Sequence, residues 1–200
     1  MTPVVLIRFV LQADPAWVEV DRDDGIVIEA RDVEGSAHRE LRATTTVKLP
    51  VNALCDAAFG PKGFDASEPS LKSRRALREG PDEQVHYDQM SAPIVADRDI
   101  VVRDRRERLP NGACRVFVDA VKDEAVPPRD DHVRIEAMRS SWLFEPKANG
   151  ETAVTHTVWT DPKVSMPVAF VEPSRRKNAV TWVKLVLERA RAASAPARAR

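Results

Sequence analysis

PSRRKNAVTWVKLVLERARAA, residues 173–193, is the last patterned stretch of the chain, and it decides how the rest is read. Ala179, Trp182, Val183, Val186, Leu187 and Ala190 follow the i, i+3, i+4, i+7 rule of a helix with one apolar face. Pro173 suits the first turn of such a helix, where a missing N–H costs nothing. The opposite face carries Arg175, Arg176, Lys184, Arg189 and Arg191. It reads either as a surface for anionic membrane headgroups or as the solvated side of a packed helix.

Upstream of this helix the pattern changes to a repeat of two. Leu41, Ala43, Thr45, Val47 and Leu49 share one parity and Arg42, Thr44, Thr46 and Lys48 the other, as in a half-buried strand. The same reading covers residues 26–30, 85–90, 100–109, 114–121, 133–144 and 153–159. Asp23-Asp24-Gly25, Pro110-Asn111-Gly112 and Asn149-Gly150 supply turns between them. One short segment departs from this: Val51 to Phe59 follows Pro50, has helical spacing and stops at Gly60. Strands, a short helix, more strands and one long final helix predict an α+β fold, an antiparallel sheet with the helix packed on one face.

Two hundred residues suffice for one domain with a substantial core. We expect an N-terminal apolar segment (1–16), one domain (17–193) and a patternless, disordered tail (194–200). Met1 to Gln12 is apolar, but Arg8 interrupts it and no positive charge precedes it, so it reads as an element packed on the domain, with an export leader as the alternative. Lys+Arg and Asp+Glu balance at 31 each, which argues against a general grip on nucleic acid. No apolar run approaches the roughly 18 residues of a membrane span. Cys55 and Cys114 stand far apart without a CxxC or a nearby histidine, so neither a disulfide framework nor a zinc knuckle is indicated, and a reducing, cytoplasmic setting fits.

Catalytic and phosphate-binding motifs are absent, and seven glycines leave little material for a phosphate loop. His38, His86, His132 and His156 lie on separate segments, and strand histidines such as His86 and His156 are ordinarily hydrogen-bonded structural groups. Asp97, Arg98 and Asp99 open a strand and could point into a partly buried space. Arg134 and Glu136 share a parity and read as a same-face ion pair or a plain surface face. Trp17, Trp142, Trp159 and Trp182 are core by default. No cofactor or metal is expected.

Taken together, several strings resemble the START family, the steroidogenic-acute-regulatory-related lipid-transfer domains. They are Trp17, Asp23-Asp24-Gly25-Ile26 and Arg31; Tyr87, Ala92-Pro93 and Arg98-Asp99-Ile100-Val101; Val133-Arg134; Trp142 with Pro146; Thr152 to Thr157; Asp161-Pro162; Met166-Pro167; and the final helix. The resemblance implies a helix-grip fold, a curved sheet around the C-terminal helix with an internal apolar cavity for one lipid or sterol, and binding or transfer without catalysis. It implies that Arg98 and Arg134 meet a carboxylate or a ligand, since a buried charge does not persist unpaired. The segment Asp161 to Val171 would cover the cavity mouth with the final helix, making Met166, Phe170, Trp182 and Val186 gate and wall residues. Tyr87, Trp142, His156 and Trp159 complete the cavity candidates. Gly63-Phe64-Asp65 departs from the tryptophan many relatives carry after the short helix. The alternatives are a cyclase- or aromatase-like enzyme of the wider superfamily and a lipid-gated interaction module.

Overall fold

The structure is a computed structural model that describes residues 15–60, 65–91, 96–164 and 166–195. Among these, ten strands form one sheet: β1 (Val18–Asp23), β2 (Ile26–Arg31), β3 (Glu40–Val47), β4 (Leu71–Glu79), β5 (Glu83–Met90), β6 (Arg98–Arg108), β7 (Cys114–Ala120), β8 (Val133–Arg134), β9 (Met138–Pro146) and β10 (Thr152–Thr160). The spatial order is β1-β2-β3-β10-β9-β7-β6-β5-β4, antiparallel throughout, and β8 pairs parallel with β6 off this path. Helix α1 (Val51–Phe59) follows β3, and helix α2 (Val168–Ser194) closes the chain. Neither is long and apolar enough to cross a membrane.

Periodicity finds every strand with a buried face and misses the two without one. β1 and β4 lie at the ends of the sheet order and are rich in charge, VEVDRD and LKSRRALRE. An edge strand needs no buried stripe, and charge on it discourages pairing with another chain. The single strand expected over 133–144 is two, because β7 pairs with β6 only as far as Ala120 opposite Val102. Beyond that point β8 takes the vacated side of β6, with Arg98 opposite Val133 and Asp99 opposite Arg134. The chain then steps across to begin β9 at Met138.

Helix α1 has the predicted bounds. Its stop, Gly60, has φ 79° and ψ 167°, a region essentially closed to other residues. A Cβ there would meet only the Ala58 carbonyl oxygen, at 4.0 Å, so substitution is a backbone cost and not a clash. Gly60→Ala is expected to lower stability by about 1–3 kcal/mol, measured by urea denaturation.

Helix α2 begins five residues before the expected start, with Pro167 at its N-cap and Pro173 inside it, and it runs on to Ser194. Pro173 withholds a hydrogen bond from the Ala169 carbonyl. Ala169 is exposed in the first turn, where water can take that acceptor's place. The expectations for residues 1–14, for Gly63-Phe64 and for residues 196–200 lie outside the described residues.

Helix α2 packs on α1, β2, β3 and β10. The main core lies between them: Ile26, Ile28, Ala43, Val116, Phe144 and Val154 from the sheet, Leu54 and Phe59 from α1, and Val183, Val186 and Leu187 from α2. Cys55 on α1 and Cys114 at the start of β7 belong to the same core, and they are joined in a disulfide with a Cα–Cα distance of 6.0 Å. This corrects the reading that no disulfide is indicated. Only folding brings together residues 59 positions apart, and their spacing carries no sign of it.

Candidate functional site in the space between sheet and helix

Strand alternation sorts the sheet into an inner face, toward α2, and an outer face. Cross-strand pairing puts His86 beside Val102, Asp88 beside Ile100, Gln84 beside Asp104 and Met90 beside Arg98, all on the inner face. Val118 beside Ser140 and Trp142 beside His156 continue it. Around the middle of β6 and the neighbouring parts of β7 and β9 this face has an apolar stretch. Ile100 and Val102 are buried there, with Met90, Val118, Ala120 and Met138 half-buried around them. Apolar side chains that face inward and still keep access are what the floor of a ligand space requires.

At one end of this floor lies a network of buried charge. The Arg74 guanidinium donates to Asp88 Oδ1 at 2.8 Å and Oδ2 at 2.6 Å, and to Glu68 Oε1 at 3.0 Å and Oε2 at 2.8 Å. His86 bridges Asp88 Oδ1 at 2.8 Å and Asp104 Oδ2 at 3.2 Å. Gln84 donates to Asp104 and to the Phe59 carbonyl, both at 2.7 Å, tying the network to α1. Arg189 of α2 reaches Glu68 Oε1 at 3.0 Å and Asp65 Oδ2 at 2.6 Å, tying it to the covering helix. Burial pushes the His86 imidazolium toward neutrality, but the hydrogen bonds and charges of Asp104 and Asp88 outweigh it and lift the pKa to about 9. Burial opposes the Asp88 charge too, and Arg74 and His86 hold its carboxyl below the usual range. Asp104 Oδ1 is buried without a hydrogen-bond partner.

The opposite end is neutral. The His156 ring stacks on Trp142 with centroids 3.9 Å apart, and its Nε2 lies 3.0 Å from Ser140 Oγ. Burial without a carboxylate lowers the His156 pKa to about 3, so the ring is uncharged at neutral pH. Such a ring is too weakly basic for a general base near pH 7.

Arg98 stands at the rim, where β6 begins. It is 7% exposed, and its guanidinium donates to the carbonyls of Ala96 and, at 3.5 Å, Pro162. Among the described residues no carboxylate forms an ion pair with it. Arg134 behaves differently. Its Nε and Nη2 donate to Asp99 Oδ1 and Oδ2, both at 2.9 Å, and Tyr87 Oη donates to Asp99 Oδ2 at 2.9 Å. Burial opposes the Asp99 charge, but Arg134 and Tyr87 hold its carboxyl low.

Of the residues singled out in the sequence, Arg98, Trp142 and His156 share the inner face. Tyr87 and Arg134 lie together on the outer face, under Val121 and Val126. The expected pairing of Arg134 with Glu136 is replaced by Arg134–Asp99 and Lys163–Glu136. Trp159 also faces outward, donating to Ser36 Oγ at 3.2 Å and the His38 carbonyl at 3.0 Å. Val186 is core, and Trp182 packs half-buried against it. Met166 and Phe170, at the start of α2, are 41% and 74% exposed. The expected basic face of α2 is largely engaged: Arg175 with Glu172, Arg176 with the Val20 carbonyl, Lys184 with Asp23, and Arg189 as above. Within the charged network, Glu68, Arg74, Gln84, Asp88 and Asp104 escaped the sequence reading. Alternating polar residues in a strand look like a wet face, and the one available signal, Gln84-His86-Asp88 on a single parity, does not say which side is covered.

The chain matches the START domain family over residues 68–194. A Pseudomonas aeruginosa protein, the uncharacterized PA1579, is 24% identical over 152 residues, 76% of this chain and 75% of that protein. A STAR-related lipid transfer protein from Xanthomonas axonopodis, solved as fragment 25–204, superposes with a TM-score of 0.77 at 27% identity, covering 88% of this chain and 98% of that one. Human STARD10 gives a TM-score of 0.74 at 18% identity, covering 87% and 72%, a likeness of fold alone. The helix-grip architecture and the match over more than half of the sequence agree: the chain belongs to the START domain family.

Proposed function

We propose that the protein binds one lipid or sterol between the inner face of the sheet and α2, and passes it on without chemical change. The observation that carries this is Arg98, a buried cation with no carboxylate partner among the described residues, at the rim of a half-accessible apolar floor. A buried charge left unpaired is costly, and an acceptor group on a ligand would relieve it. The hydrocarbon then lies over Met90, Val118, Ala120 and Met138, where each buried methylene contributes about 0.8 kcal/mol. Exchange with a membrane falls to Met166 and Phe170, exposed apolar groups at the start of α2, since most of the basic groups of α2 are already paired.

Organic extraction of the purified protein followed by mass spectrometry is expected to release a lipid. The emptied protein is expected to bind a polyene fatty acid by fluorescence, and Arg98→Met to weaken that binding roughly ten- to a hundredfold, the cost of one charged hydrogen-bonding contact. Absence of both retained lipid and binding refutes the proposal.

A further inference from the structure

Cys55 and Cys114 are the two cysteines of the chain, and each is enclosed in the main core at 0% and 1% exposure. Their Cα atoms lie 6.0 Å apart, within the span a disulfide bridges, and the structure joins them. We propose that this bond is a permanent structural cross-link acquired in an oxidising compartment, and that the protein works there and not in the reducing cytosol. Forming the bond takes two protons and two electrons from the thiols. The acceptor is a disulfide-bearing oxidoreductase, which leaves as the dithiol; a cytosolic thiol pool drives that exchange backward. Once the fold closes over the sulfurs, an attacking thiolate has no path to them.

The bond secures an element that needs it. Helix α1 has nine residues, too few to be stable alone, and it has no side-chain cap at its N-terminus and no acidic residue in its first turn. Its polar ties to the sheet include Arg106 to Asp56 at 2.6 Å and Arg108 to Asn52 at 2.7 Å, both at the exposed rim. Yet α1 is the platform on which α2 rests. The disulfide fixes that platform to β7 and so holds one side of the space under α2, whatever that space contains.

The test is thiol trapping of the full chain in its own cells, by rapid acid quenching and then alkylation under denaturing conditions without reductant. The expected result is no alkylated cysteine, and two after reduction; two alkylated cysteines without reductant overturn the proposal. Thermal denaturation of the purified protein, oxidised and fully reduced, gives a second readout with an unchanged side-chain set. Reduction is expected to lower the midpoint by about 8–16 °C, from the loop-closure entropy of a bridge of this separation. Equal midpoints would show that the bond holds nothing, and overturn the structural role.

Discussion

Arg74→Ala is expected to lower the unfolding free energy by about 3–5 kcal/mol, the usual consequence of removing one partner from a buried ion pair. The size follows from what stays behind. Arg74 is the shared cation of Glu68 and Asp88, and all three side chains are at most 8% exposed. Without it, the ion-pair partners left among the described residues are His86 for Asp88 and Arg189 for Glu68. Arg74→Lys is expected to restore part of the loss but not all of it, because a point charge cannot reproduce four hydrogen bonds from one planar fork. Urea denaturation of the three proteins measures the series; an Arg74→Ala loss below about 1 kcal/mol, the range of an exposed pair, would show that the network is solvated.

Stability is also expected to fall by about 3 kcal/mol as pH rises from 6.5 to beyond 9, because of His86. Its folded pKa is raised to about 9 from the ordinary 6.5 of an imidazole, so the folded state binds the proton more tightly. The stabilisation is complete below pH 6.5, where both states are protonated, and is gone above pH 9, where neither is. The groups facing His86 are Asp88 on its own strand, Asp104 and Gln84 beside it, and Arg74 and Glu68 one step further away. Asp88 acts in the opposite direction: its lowered pKa contributes stability above the unfolded carboxyl range that is lost in acid. His86→Gln is expected to flatten the alkaline limb while leaving the acid limb. Denaturation midpoints across pH 6–10 for both proteins check this, and an unchanged alkaline limb in His86→Gln would assign the proton to another group.

Much of the architecture is legible in local pattern. The two-residue repeat marks β2, β3, β5, β6, β7, β9 and β10, and Gly60 marks the end of α1 to the residue. The failures share a cause. β1 and β4 carry no apolar alternation because each has one unpaired edge, and the break between β8 and β9 depends on where β7 stops pairing with β6. Pro173 invites a helix start that α2 does not use, since its first turn is set by Pro167 and by the turn leaving the sheet.

The candidate site divides in the same way. Arg98, Trp142 and His156 fall on the inner face, whereas Tyr87, Arg134 and Trp159 serve the outer face. Residue type and parity group side chains into two faces but carry no label for which face is covered. That label comes from α2, which begins eight residues after the last strand ends.

By itself, then, the sequence determined most element types and the α+β class, because periodicity and turn chemistry act over a few residues at a time, and its local strings carry the resemblance to the family. The tertiary structure alone decided which charges pair, that among the described residues no carboxylate forms an ion pair with Arg98, that the final helix's cations are mostly engaged, and that Cys55 meets Cys114. Most of these depend on segments far apart in sequence, such as Cys55 with Cys114, Arg189 with Glu68 and Arg134 with Asp99, whose contact energy exists only once the chain has closed.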